Sequence, residues 1–143
     1  MIVEIIPNLY LGNWRAAADL NLLQALDIEF IVNASQLANF YPHNFTYLTV
    51  AVEDADDAQI NRYFTKVSRF VYNALLKRKK VLIHCVAASL RSPTLVIAFL
   101  IKKKKMTLEE AYKLVQTKQR IDINPGFLKQ LQQLNESIHI SVL

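Results

Sequence analysis

Apolar residues in this chain alternate between short runs and helical stripes. Ile2 to Ile6 is a short apolar run stopped by Pro7-Asn8, which predicts a strand. Arg15 to Leu26 places Ala18, Leu22, Leu23 and Leu26 at helical spacing. Glu29 to Asn33 and Tyr47 to Val52 are rich in β-branched and aromatic residues and predict strands, with a loop from Ala34 to Phe45 between them. Ile60 to Leu76 is the clearest amphipathic helix: Ile60, Tyr63, Phe64, Val67, Phe70, Val71, Ala74 and Leu75 share one face, and Asp56 and Gln59 have capping-box spacing ahead of it. Val81 to Ile83 is an unbroken apolar run, as expected of a strand buried on both faces.

Thr94 to Ile101 is apolar all round and predicts a central helix, with Ser92 suited to its N-cap and Pro93 to its first helical position. Thr107 and Glu110 form a second capping-box pair, opening a helix through about Gln116. Pro125 to Ser137 makes a last helix with Phe127, Leu128, Leu131 and Leu134 inward. Strands alternating with helices favour an α/β layered fold with a mostly parallel sheet. No internal repeat or linker interrupts the pattern, so a single domain over residues 1–143 is expected.

Composition changes this picture little. With 143 residues, 52% hydrophobic and 20% charged, the chain can bury one core and is not of the disordered type. Only 2 glycines predict long helices and few left-handed turns. A net charge of +5 is compatible with nucleic acid, anionic lipid or phosphorylated substrates. Much of that charge lies in Lys77-Arg78-Lys79-Lys80 and in Lys102 to Lys105, each at the end of a predicted helix, where cations complement the dipole. Nucleic-acid binding ranks last, because basic and aromatic residues do not interleave. Met1-Ile2-Val3-Glu4 has no charged leader pattern, and the run Leu95 to Ile101 is too short to span a bilayer. A soluble cytoplasmic protein with no membrane span is expected, with the nucleus also open to it. The one cysteine excludes an internal disulfide and fits a reducing compartment.

That cysteine carries the chemistry. Cys85 ends the buried strand, five residues (Val86, Ala87, Ala88, Ser89 and Leu90) follow, and Arg91-Ser92-Pro93 opens the central helix. Five residues between a strand end and a helix start can curl into a ring of backbone amides, a socket for a dianion such as phosphate or sulfate. A thiol is a nucleophile only as thiolate; a helix N-terminus and a nearby arginine both favour the anion. Ser92 is placed to donate its hydroxyl to the sulfur, and His84 is placed to orient the loop through its imidazole. A free cysteine is ordinarily a small buried hydrophobe. The strand–loop–helix setting of Cys85-x5-Arg91 favours chemistry instead.

The stretch His84 to Ser92 resembles the signature of cysteine-dependent dual-specificity protein phosphatases. Leu9-Tyr10-Leu11-Gly12 resembles that family's N-terminal strand-to-helix turn, Val52-Glu53-Asp54 its general-acid loop, and Asn124-Pro125-Gly126-Phe127 the start of its C-terminal helix. The likeness is greatest to small members consisting of a catalytic domain alone. It implies a central, mostly parallel, twisted sheet of about five strands flanked by helices, as in protein tyrosine phosphatases. It also implies a mechanism. Cys85 attacks phosphorus to form a phosphocysteine intermediate, Arg91 grips two phosphoryl oxygens, and amides from Val86 to Arg91 hold the remaining charge. Asp54, chosen over Glu53, Asp56 and Asp57 because it ends the strand and matches the family position, acts as acid and then base. Asp56 is read as a helix cap. No metal or other cofactor is expected, since His43, His84 and His139 lack ligand spacing.

Two positions depart from the family pattern: Ala88 stands where glycine is usual, and Leu90 where serine is usual. If position 88 needs positive φ, alanine costs about 1–2 kcal/mol there. The expected substrate is a phosphorylated protein bearing phosphotyrosine or phosphoserine/phosphothreonine. The alternative is a weakly active or inactive phosphatase-like domain that binds phosphorylated partners. An uncharged loop makes phosphoinositides and RNA 5′ ends weaker candidates.

Overall fold

A computed structural model describes residues 1–139. Five strands form one sheet: β1 (Ile2–Ile6), β2 (Leu9–Gly12), β3 (Ile28–Asn33), β4 (Thr46–Thr49) and β5 (Lys80–His84), in spatial order β1-β2-β5-β3-β4. Only the β1/β2 pair is antiparallel. The mostly parallel α/β sheet expected from the pattern is therefore present, with β5 at its centre.

The register explains why β5 is apolar throughout. Leu82 lies between Tyr10 and Ile31, and its neighbour Ile83 lies between Leu11 and Val32. Successive side chains face opposite sides of the sheet. Leu82 joins Tyr10, Ile31, Leu23 and Phe45 on the side covered by α1 (Trp14–Ala17) and α2 (Leu20–Ala25). Val81 and Ile83 join Leu9, Leu11 and Val32 on the side covered by α3 (Phe64–Leu76) and α4 (Arg91–Lys104). Every residue of α4 from Arg91 to Ile101 is buried, because the sheet, α3, α5 (Leu108–Lys118) and α6 (Pro125–Ile138) surround it.

Several local expectations are corrected. The helix expected over Arg15 to Leu26 splits in two, because the Asp19 carboxylate accepts from the Leu22 N–H at 3.0 Å and restarts the chain as α2. The strand expected through Val52 stops at Thr49; a tight turn, Val52 N–H to Val50 C=O at 3.0 Å, bends the chain away. Residues Ile60–Tyr63 are a 3-10 turn ahead of α3, and Gln59 makes no side-chain cap. The Asp56–Gln59 capping box therefore does not form. β2 was not marked by periodicity, since all four of its residues are buried.

Helix α4 begins at Arg91 with Leu90 in the cap position, so Ser92 is not its N-cap and Pro93 is not its first residue. The Thr107–Glu110 capping box is present. On α6, Phe127 and Leu131 are fully buried, while Leu128 and Leu134 are half-buried. Left-handed residues are more common than the glycine count suggested: Asn8, Asp27, Gln36, Arg78 and Lys105 all have positive φ, and neither glycine does. Among the described residues no helix is long and apolar enough to cross a membrane.

Candidate active site

The carboxyl end of β5 delivers Cys85 to the edge of the sheet, and the loop 86–90 returns the chain to the start of α4. Ser92, one residue into that helix, turns back on the sulfur. Its hydroxyl lies 3.0 Å from Cys85 Sγ, and its N–H donates to Sγ at 3.4 Å. Ser92 thus spends its side chain on the cysteine rather than on a helix cap.

The loop's outer carbonyls are pinned. Val86 C=O accepts from the Trp14 N–H at 3.2 Å, and Ser89 C=O accepts from the Asp122 N–H at 2.6 Å. The Ala87 carbonyl does the opposite and points inward. It accepts from the Cys85 thiol at 2.8 Å and from the Leu90 N–H at 3.2 Å. The ring of inward-facing amides expected from Val86 to Arg91 is therefore incomplete in this conformation. One carbonyl takes the place of an amide, and the Leu90 amide is engaged by it. Cys85 is 0% exposed, so an incoming phosphorus atom reaches the sulfur only if the loop opens. The side chain at position 88 bears on this arrangement. Rotating the 87–88 peptide by half a turn inverts the carbonyl and changes φ of residue 88, and Ala88 is not among the positive-φ residues. A β-carbon disfavours the left-handed alternative.

Arg91 is buried and held from outside the loop. One terminal nitrogen, Nη1, donates to the Gln36 side-chain carbonyl at 3.0 Å and to the Val52 carbonyl at 3.1 Å. Its Nε–H is buried with no partner among the described residues. A buried unmet donor costs about 1–3 kcal/mol, so its retention calls for an explanation, of which a catalytic role is one. Gln36 escaped the sequence reading: it sits in a non-periodic loop at φ 66 and carries no motif. A cleft of about 500 Å³, lined in part by Gln36, Val52, Glu53, Arg62 and Tyr63, runs beside this anchor.

His84 is 1% exposed, and its Nδ1 has no hydrogen-bond partner among the described residues. Burial pushes the imidazole down to about 4, with the Cys85 backbone pulling weakly the other way. It is neutral at pH 7. The expected orienting role for the loop is not visible as a side-chain hydrogen bond from that nitrogen.

Asp54 lies on the exposed loop after β4, and its Oδ1 accepts from Asn124 Nδ2 at 2.8 Å. Asp56 does not cap α3; its carboxylate faces the Gly126 N–H at 3.4 Å, at the start of α6. It therefore serves a different helix from the one expected. Gln130 completes the link, donating to Ala58 C=O and accepting from the Asn61 N–H, both at 2.9 Å.

The family model "Dual specificity phosphatase, catalytic domain" matches residues 9–137. Dual specificity protein phosphatase 1 of Arabidopsis thaliana is 37% identical over 135 residues, covering 93% of this chain and 68% of that protein. Human dual specificity protein phosphatase 9 is 36% identical over 142 residues, covering 96% of this chain but only 37% of its own length. Among solved structures, human tyrosine phosphatase-like serine/threonine/tyrosine-interacting protein superposes with a TM-score of 0.89 at 32% identity, covering 98% of both chains.

Proposed function

This chain belongs to the dual specificity phosphatase family, and on that premise we propose that it hydrolyses phosphotyrosine and phosphoserine/phosphothreonine in proteins through a phosphocysteine intermediate. One observation supports the reading above the rest: Ser92 places both its hydroxyl and its amide on Cys85 Sγ, at the N-terminus of a helix that is buried from Arg91 to Ile101. A structural cysteine in a core needs no such donors.

The reaction runs in two displacements. The Cys85 thiolate attacks phosphorus, an S–P bond forms, and the P–O bond to the leaving group breaks as Asp54 gives that oxygen its proton. The Asp54 carboxylate then takes a proton from water, the water oxygen bonds to phosphorus, and the S–P bond breaks. Ser92 donates to the departing sulfur. Throughout, the Arg91 Nε–H finds in a phosphoryl oxygen the acceptor it lacks, while Gln36 and Val52 hold the other side of the guanidinium. Amides of the loop share the remaining charge once the Ala87 carbonyl has turned outward.

The inward Ala87 carbonyl favours a second reading, a phosphatase-like domain of low turnover that binds phosphorylated partners. Hydrolysis of p-nitrophenyl phosphate separates the two. The enzyme reading expects turnover that is abolished in Cys85→Ser, and a fall of roughly 100-fold or more in Asp54→Asn when phenyl phosphate, with its poorer leaving group, replaces the nitrophenyl ester. A wild type no faster than Cys85→Ser refutes it and leaves the binding reading.

A further inference from the structure

The start of α6 grips the loop that carries Asp54. Asn124 uses both ends of its amide for this: Oδ1 accepts from the Phe127 N–H at 2.8 Å and caps α6, while Nδ2 donates to Asp54 Oδ1 at 2.8 Å. Two residues on, Gly126 lies so close to the loop that a β-carbon there would stand 1.8 Å from the Asp56 carbonyl oxygen. With Gln130 bonded to Ala58 and Asn61, the segment from 54 to 61 is tied to one helix at three points along its first two turns. Asp54 is otherwise an exposed loop residue, free to turn into solvent.

From this geometry we infer that Asn124 is a positioning residue for the general acid; the inference rests on the phosphatase reading above. The amide holds Oδ1 by donating to it. In the protonated acid that oxygen is the carbonyl-type one, so the proton resides on Oδ2, which Asn124 leaves unengaged. Asn124 thereby fixes which oxygen delivers the proton to the leaving group and how far it swings. It touches neither phosphorus nor leaving group, and acts only through Asp54.

Asn124→Asp is the informative variant. Aspartate is as good an N-cap as asparagine, so α6 keeps its Phe127 bond. The donor facing Asp54 becomes an acceptor, and the tether is lost. The expected result is a leaving-group split. The kcat/KM for phenyl phosphate, which reports only the steps up to the phosphocysteine and whose phenolate needs a proton, falls about 10- to 100-fold, in line with the loss from misplacing a catalytic group. The kcat/KM for an activated fluorinated umbelliferyl phosphate, whose leaving group departs without protonation, changes by less than about 3-fold, since acid catalysis adds little there. In an Asp54→Ala background the same substitution has no further effect on phenyl phosphate.

Equal losses on both substrates, or a full loss that persists without Asp54, would mean a structural role and overturn this inference alone. A wild type that hydrolyses neither substrate overturns the phosphatase reading and this inference with it. Thermal unfolding of each variant accompanies the kinetics, and an Asn124→Ser variant, which keeps a capping hydroxyl and lacks the amide, must reproduce the split.

Discussion

Replacing Ala88 with glycine should make this phosphatase-family site a better anion binder while making the protein slightly less stable. The inward Ala87 carbonyl is bonded to the thiol at 2.8 Å and to the Leu90 amide at 3.2 Å, so it engages the nucleophile and one loop amide, and its partial negative charge disfavours an anion beside them. Opening the socket requires the 87–88 peptide to turn over, which moves residue 88 toward positive φ. For alanine that conformation costs roughly 1–2 kcal/mol, and for glycine nothing. An energy gap of that size changes the open fraction about 5- to 30-fold. Apparent affinity scales with the competent fraction, so competitive inhibition by vanadate should tighten by the same factor in Ala88→Gly. kcat/KM for p-nitrophenyl phosphate should rise in parallel. Stability should move the other way: Ala88 is 4% exposed within the main core, and glycine there loses a packed methyl and gains chain entropy, about 0.5–1 kcal/mol. Steady-state kinetics with vanadate at pH 7, alongside urea unfolding, reads both effects. Inhibition constants within twofold of each other would refute the reasoning, as would a wild-type vanadate complex with the Ala87 carbonyl turned outward and φ of Ala88 still negative.

Two further outcomes follow from named contacts. In Gly126→Ala the new methyl meets the Asp56 backbone, so the acid loop must leave α6; a destabilisation of about 1–3 kcal/mol is expected, with phenyl phosphate turnover falling further than that of the activated ester. A chemical-denaturation series and the same pair of substrates check this, and an unchanged leaving-group ratio counts against it. For His84 the folded-state value near 4 lies below the ordinary 6.5, so the unfolded chain takes up the proton first. Stability from this group is complete above about pH 6.5 and is lost as pH falls toward 4, roughly 3 kcal/mol in all. Urea midpoints of wild type and His84→Gln between pH 7 and pH 4 should converge, and parallel lines would contradict it.

What the sequence made legible was whatever one local segment decides. Val81 to Ile83 could only be a strand covered on both faces, and Thr94 to Ile101 only a surrounded helix, because neither has a polar side to offer water. The Cys85–Arg91–Ser92 spacing was readable for the same reason: it is contained in one turn of chain. Partnerships between distant segments were not. Ser92 has the composition of a helix cap, and only the folded loop shows that its hydroxyl goes to sulfur. Asp56 has the right spacing to cap α3 but meets α6, 70 residues away. Asn124-Pro125 announced a helix start, and nothing in the pattern revealed that the other end of the amide reaches Asp54. Gln36 behind Arg91 left no trace at all, since a single glutamine in an irregular loop has no period to break. The inward turn of the Ala87 carbonyl was foreshadowed only by alanine standing at position 88.

Gln36, Val52, Asp54, the loop after Cys85 and Asn124 come from segments far apart along the chain, yet each holds another in place. During refolding, the sulfur's own neighbourhood can form early, from β5, its loop and α4. Competence for chemistry must wait for α6 to dock. Recovery of hydrolytic rate after dilution from denaturant is therefore a clock for the last step of assembly, lagging behind the return of helical signal.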